Sequence, residues 1–433
     1  MNRRDFLATA SSVVVLPRSV LGGPGFKAPS DTLNIAGVGA GGMGGAYLRE
    51  LSSENIVALA DVDDERAAET YARFPDATRY TDFRRLFDSE QNIDAVVVGT
   101  PDHTHAIIAV DALERGKHVY CAKPLARTIY EVRRMTDAAR EAGVATQMST
   151  QQNAHDDHRV IAEMIWDGAI GPVREVHIWD NRPIWPQGIE RPPETPPVPD
   201  TLDWELWLGP APRRPYHPIY VPFSWRGWLD FGTGALGDMG CHHFDPVFRA
   251  LKLAAPDKVH ASSTEVNEET FPTASIVHYD FPAREDMPPV RVTWYDGGLK
   301  PPRPEGLPDG EPMGVPDPGG AYFVGDGGIL MTDGTGHNPR LLSASAADSY
   351  DMPSPALPRS IGHYQEFIEA CKGGPRPGAH FDYGGPITEA VLLGNIAIRT
   401  GKTLRWDAEN MRITNDDEAN RFVREPYHNG WTL

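Results

Sequence analysis

The stretch Asp238-Met239-Gly240-Cys241-His242-His243-Phe244-Asp245 holds the densest set of proton-handling side chains in the chain. Its spacing predicts a helix opening at Asp238 and running to Leu251. Residues four apart share a helix face, so Asp238 and His242 would project together. A histidine beside a carboxylate suits general-base removal of a hydroxyl proton. The same pair arises where an Asp merely caps a helix near a His, and the pattern alone leaves both readings open. Lys123, followed by Pro124, comes after a predicted strand from Lys117 to Cys121. That places it at the C-terminal edge of a parallel sheet, where such folds bind ligands. Alone it reads as surface charge. Together, Lys123, Asp238 and His242 form a set able to manage the proton when hydride leaves a carbinol carbon.

The elements that must position these groups begin with a strand from Leu33 to Val38. Gly39-Ala40-Gly41-Gly42-Met43-Gly44 follows, and then a helix through Leu51. Strand, glycine turn and helix are the setting in which Gly-x-Gly-x-x-Gly cradles a pyrophosphate at a helix N-terminus. Gly39, Gly41 and Gly44 are preferred over Gly37, Gly39 and Gly42, because that register leaves a full strand in front. The next strand, Ile56 to Ala60, ends at Asp61, about 20 residues past the turn, where a carboxylate meets the adenosine ribose. Val62, Asp63 and Asp64 follow it with no arginine among them, which favours NAD over NADP. A solvated acidic turn is the plainer reading of the same residues. Further strands, Asp94 to Gly99, Lys117 to Cys121 and Val144 to Met148, alternate with helices ending at Arg115 and spanning Ile129 to Ala142. Residues 31–150 therefore read as a doubly wound Rossmann domain.

The texture changes in residues 151–433. A helix is expected over Asp156 to Trp166 and strands over Glu175 to Trp179, Lys258 to Ser263, Thr273 to Tyr279 and Val290 to Tyr295. More follow at Tyr322 to Val324 and Gly328 to Thr332, with helices at His363 to Cys371 and Thr388 to Thr400. This predicts an α+β domain around a large, open, mainly antiparallel sheet, for substrate binding and oligomerisation. Between them, residues 181–235 are rich in proline and aromatics, including Trp185, Trp204, Trp207, Trp225 and Trp228. The segment is either a loop packing its own small core or a platform on which sugar ring faces stack. His155, His158, His242 and His243 show no compact ligand spacing, so no metal is expected.

The 433 residues carry a formal net charge of −19, which disfavours nucleic acid. No apolar run approaches the roughly 18 residues of a membrane span. Cys121, Cys241 and Cys371 are too few and too scattered for a disulfide framework. Arg3-Arg4-Asp5-Phe6-Leu7 and the weakly apolar stretch behind it resemble a twin-arginine export signal. Residues 1–30 are accordingly set aside from the fold, and a periplasmic or otherwise exported location is expected. That route carries folded proteins, so a nucleotide could be acquired before export.

Taken in order, Gly39-Gly41-Gly44, Asp61, Thr100-Pro101-Asp102-x-x-His105, Lys123-Pro124 and Asp238-x-x-x-His242 resemble the Gfo/Idh/MocA family, from Leu33 onward. The resemblance implies NAD held by the glycines, Asp61, Thr100, Asp102, His105 and Lys123. It implies Lys123 and His242 at the reacting carbon with Asp238 ordering them, the histidine serving as base in dehydrogenase members. It also implies a homodimer or homotetramer and a small carbohydrate or glycoside substrate. Ala122 departs from the family's usual Glu-Lys-Pro. Three function classes stay open: an oxidoreductase acting on a sugar, polyol or glycoside, a redox-neutral NAD-dependent glycosidase or lyase, and a non-catalytic cofactor-bound protein.

Overall fold

The computed structural model describes residues 31–314, 319–342 and 350–433. The twin-arginine stretch lies outside them. The first sheet has six parallel strands: β1 (Asn34–Val38), β2 (Asn55–Ala60), β3 (Thr78–Tyr80), β4 (Ala95–Val98), β5 (His118–Cys121) and β6 (Thr146–Met148). Their order, β3-β2-β1-β4-β5-β6, reverses direction between β1 and β4. A crevice opens beyond the strand ends at such a reversal. Helices α1 (Gly42–Glu50), α2 (Asp64–Arg73), α3 (Phe83–Ser89), α4 (His105–Glu114) and α5 (Ile129–Ala142) connect the strands. Local chemistry sets their ends. The Asp63 side chain accepts from the Glu65 and Arg66 amides to start α2. Thr128 and Glu131 form a reciprocal capping box on α5, which ends at a left-handed Gly143. β3, α2 and α3 were not expected, because Thr78-Arg79-Tyr80 is too short and too polar to stand out as a strand.

Beyond β6 the chain forms α6 (Asp156–Trp166), β7 (Val173–Trp179), α7 (Trp204–Leu208) and α8 (Gly234–Leu251). It continues through β8 (Lys258–Ser263), β9 (Ser275–Phe281), β10 (Val290–Tyr295), β11 (Gly320–Gly325), β12 (Gly328–Asp333) and β13 (His337–Leu341). Helices α9 (His363–Cys371) and α10 (Phe381–Thr400) follow, and β14 (Leu404–Asp407) and β15 (Arg412–Ile413) close the order. The nine strands lie in the order β13-β12-β11-β7-β10-β9-β8-β14-β15. All neighbours run antiparallel except β7 and β10. Helix α8 packs against α6 and α10, and α10 covers β8 and β9. An α/β chain with one Rossmann sheet and one mainly antiparallel sheet is the architecture expected.

Two helix starts differ from expectation. Helix α8 begins at Gly234, so Asp238 sits inside it and caps nothing. Helix α10 begins at Phe381, seven residues before the expected Thr388. Gly384-Gly385-Pro386 looks like a helix breaker. Pro386 nevertheless falls near the helix start, where it costs one ladder bond, and the His380 side chain accepts from the Tyr383 amide to cap the first turn.

Candidate active site

A groove runs across the C-terminal ends of the parallel strands, from Phe83 past Gly39, Gly41 and Asp61 to Lys123, Asp238 and His242. Its floor is the β1–α1 turn. Gly39 holds φ at +80°, and a Cβ there would lie 2.6 Å from the Thr100 nitrogen. A Cβ on Gly44 would lie 1.8 Å from the Gly39 carbonyl oxygen, so only glycine lets α1 pack this close to the turn. The Gly41 amide donates to Asp61 Oδ2 at 2.9 Å, and the Asp63 amide donates to Oδ1 at 3.0 Å. Burial pushes the Asp61 carboxyl up to about 6, despite these bonds. Each carboxylate oxygen keeps a further lone pair for a ribose hydroxyl. Glycine positions that exclude a Cβ, an open helix start and a half-buried acid just past β2 fit a dinucleotide.

The expected cofactor residues divide by role. Gly39, Gly41, Asp61, Thr100, Asp102 and Lys123 line the groove. Gly44 and His105 do not. Gly44 supplies the close packing of α1. His105 is fully buried, its Nδ1 2.9 Å from the Pro124 carbonyl and its Nε2 2.8 Å from the Thr100 carbonyl. It therefore fastens the turns that carry Thr100 and Lys123. The buried Asp102 carboxylate accepts from Thr233 Oγ1 at 2.6 Å, and burial raises its pKa. Sequence reasoning missed Arg66. It lies on the first turn of α2, five residues past Asp61, and its Nη2 stands 2.6 Å from where a Gly42 Cβ would be. The Asp63 cap was the signal, since it starts α2 early enough to aim Arg66 back over the glycine turn.

At the other end, the Lys123 amide donates to Ser149 Oγ at 3.0 Å. Lys123 Nζ donates to Asp238 Oδ1 at 2.7 Å and to the Asp238 carbonyl at 2.5 Å. Arg226 Nε donates to Asp238 Oδ1 at 2.8 Å, and Arg182 Nε lies 3.7 Å from Oδ2. Burial alone would raise the Asp238 carboxyl; the charges of Lys123 and Arg226 outweigh it and hold the group well below the usual carboxylate range. Arg182 and Arg226 were not foreseen, because both come from the irregular aromatic segment. Arg226 lies over Trp225, 4.2 Å from its ring centre.

His242 shares the groove with Lys123 and Asp238, but Asp238 spends its carboxylate on Lys123 and Arg226. The buried His242 Nδ1 has no hydrogen-bond partner. Burial, aided by the Lys123 charge, lowers the ring to about 3. It is therefore neutral at ordinary pH. Its neighbour His243 points away, with Nε2 3.0 Å from the buried Asp180 Oδ2.

The aromatic segment mostly packs on itself. Trp204, Tyr220, Trp228 and Phe231 are buried together with Trp207 and Trp225. Trp207, Phe223 and Trp225 also face the groove. His155, Asp157 and His337 bring ligand atoms within 4.8 Å of one another, a grouping invisible in sequence because β13 supplies His337. None of the three lines the groove.

Two family models match the chain. Residues 33–150 match the oxidoreductase family NAD-binding Rossmann fold of the Gfo/Idh/MocA group. Residues 173–282 and 350–433 match its C-terminal alpha/beta domain. The chain belongs to this NAD-binding oxidoreductase family. It is 28% identical over 224 residues to levoglucosan dehydrogenase of Pseudarthrobacter phenanthrenivorans, covering 49% of this chain and 50% of that protein. It is 27% identical over 200 residues to a glycosyl hydrolase family 109 protein of Shewanella pealeana, covering 40% of this chain and 44% of that one. The chain thus spans half or less of the length of these curated relatives. The WlbA dehydrogenase of Bordetella pertussis, solved with NADH and UDP-GlcNAcA, shares the fold at a TM-score of 0.59 and 17% identity, covering 87% of this chain and 99% of that one.

Proposed function

We propose that this protein is an NAD-dependent oxidoreductase that acts at a carbinol carbon of a sugar, polyol or glycoside. The observation that carries the reading is the Lys123–Asp238 ion pair set beside a neutral His242, in the groove that begins at Asp61. Gly39, Gly41, Asp61 and Thr100 would hold the dinucleotide, which when bound supplies the acceptor for two electrons. The remaining work falls to the chain. Asp238 fixes Lys123, the Lys123 ammonium can donate to a substrate oxygen, and His242, neutral and lining the groove, can take the hydroxyl proton as the hydride leaves. Trp225 and Phe223 offer ring faces to an apolar sugar face. Ala122 stands where the family usually has the glutamate of Glu-Lys-Pro.

The test incubates the nucleotide-loaded protein with free sugars and aryl glycosides, without added NAD. Absorbance of reduced nicotinamide and release of product are followed together. Lasting reduction with no bond cleavage is the expected result. The likeness to the family 109 glycosyl hydrolase supports a second reading, a redox-neutral glycosidase or lyase. Catalytic aglycone release without net reduction would replace the first reading by the second, and silence in both channels would leave a cofactor-bound protein without catalysis. The paired arginines of residues 3 and 4 support export, and the open nine-stranded sheet supports a homodimer or homotetramer. Cell fractionation and light scattering test these two.

A further inference from the structure

The adenosine end of the groove is closed by a segment that no sequence motif pointed to. The strand order fixes which end this is. Asp61 follows β2, Phe83 follows the neighbouring outer strand β3, and Lys123 follows β5 on the opposite side of β1. A dinucleotide with its ribose at Asp61 and its reactive ring towards Lys123 must therefore place its adenine towards Phe83. Trp431 stands there. It lines the groove, stacks on Phe83 with ring centroids 5.9 Å apart and planes 19° apart, and carries the Arg84 guanidinium 4.4 Å from its ring centre.

Trp431 is reached by a chain segment anchored step by step. Glu425 pairs with Arg127, and with Arg399 at 2.8 Å. Tyr427 Oη donates to Glu131 Oε1 at 2.6 Å. The His428 amide donates to the Pro210 carbonyl at 3.0 Å. Asn429 Nδ2 donates to the Gly209 and Ala211 carbonyls at 2.9 and 2.8 Å. These last contacts tie the segment to the loop behind α7, whose Leu206 and Trp207 also line the groove.

We propose that residues 425–433 are a strap that closes the adenine end of the cofactor groove, with Trp431 as the adenosine-binding wall, so that NAD is retained through turnover and does not exchange as a cosubstrate. The inference rests on the reading of the groove as the NAD site. An aromatic wall of this kind excludes water from the base and adds apolar contact, an effect on the order of tenfold in affinity per ring. Six contacts from four residues leave the strap little freedom to open unaided.

The experiment measures nucleotide dissociation by a chase with excess unlabelled NAD, and equilibrium affinity for NAD, ADP-ribose and nicotinamide mononucleotide by calorimetry. Trp431→Ala should release NAD roughly tenfold faster or more and weaken ADP-ribose equally, with nicotinamide mononucleotide unaffected. Trp431→Phe should recover most of the loss. Asn429→Gly keeps the positive φ of Asn429 but deletes both carbonyl contacts, and it should speed release while leaving Trp431 in place. It keeps the test alive if Trp431→Ala fails to fold. Release and ADP-ribose affinity within twofold of wild type in the folded variants would overturn the strap. A wild-type protein that binds neither NAD nor ADP-ribose would instead overturn the cofactor reading itself.

Discussion

Lys123 Nζ bridges two acceptors of a single residue, the Asp238 carboxylate at 2.7 Å and the Asp238 carbonyl at 2.5 Å. The second contact matters because a carbonyl on α8 cannot rotate away, so the ammonium is held to the helix as well as to a charge. Lys123→Met should lower kcat by about 10² to 10⁴, the range of a lost proton-handling group, with NAD affinity nearly unchanged. Asp238→Asn keeps the carbonyl contact but leaves Lys123 and Arg226 short of their counter-charge. It should cost less in rate than Lys123→Met and more in thermal stability. Single-turnover nicotinamide reduction and calorimetric unfolding check the order, and an Asp238→Asn rate below that of Lys123→Met would contradict it.

Adjacent histidines should fail in opposite ways. His242 faces the groove with one nitrogen unpartnered, so His242→Ala should abolish most of the rate and barely move the melting temperature. His243 holds Asp180, which also accepts from the Arg182 amide at 2.8 Å. His243→Ala leaves a buried carboxylate oxygen unsatisfied, at a cost of about 1–3 kcal/mol. Its signature is a lowered melting temperature with a milder effect on rate. A dead but fully stable His243→Ala protein would exchange the two roles.

Periodic and glycine-marked parts of the chain were legible in the sequence. α6 and α9 have the expected bounds, and the Gly39–Gly44 turn with Asp61 falls where the spacing put it. What was not legible depends on folding at a distance. His105 has the spacing of a ligand residue, yet two carbonyls take both its nitrogens. Arg182 and Arg226 sit in a proline-rich stretch without periodicity, and only the fold brings them to Asp238. Trp431 lies more than 300 residues from Phe83, and no local pattern links them.

With the dinucleotide in the groove as proposed, Asp61 and Arg66 are expected to act together on cofactor choice. The carboxylate repels a ribose 2′-phosphate, while Arg66, packed over the same turn, would attract one. Asp61→Ser should therefore raise the NADP-to-NAD affinity ratio by about tenfold or more, a difference of about 1.4 kcal/mol. Adding Arg66→Ala should cancel most of that gain. Titration of both nucleotides into cofactor-free protein measures the ratio. A wild-type preference for NADP would show that Arg66 already outweighs Asp61.

Acid should unfold the protein earlier than its carboxylates alone require. Burial lowers His103, His242 and His363 to about 3 in the fold, against an ordinary value of 6.5. Between those values the unfolded chain binds protons that the native state refuses. Stability is therefore complete above about pH 6.5 and falls as the pH drops towards 3. Asp61 and Asp296 act in the opposite sense. Burial raises both to about 6 from an ordinary 3.8, so the native state binds the extra protons between those values and regains stability on acidification. Three histidines over the wider interval outweigh two carboxyls over the narrower one. The carboxyls held low by their partners, Asp245 at about 2 among them, lose their contribution only below pH 4. The melting temperature should thus decline steadily from pH 6.5 to 4.5 by scanning calorimetry. His363→Gln, which removes a group that must charge on unfolding, should flatten the slope, and a melting temperature constant down to pH 4.5 would contradict the burial of these rings as neutral groups.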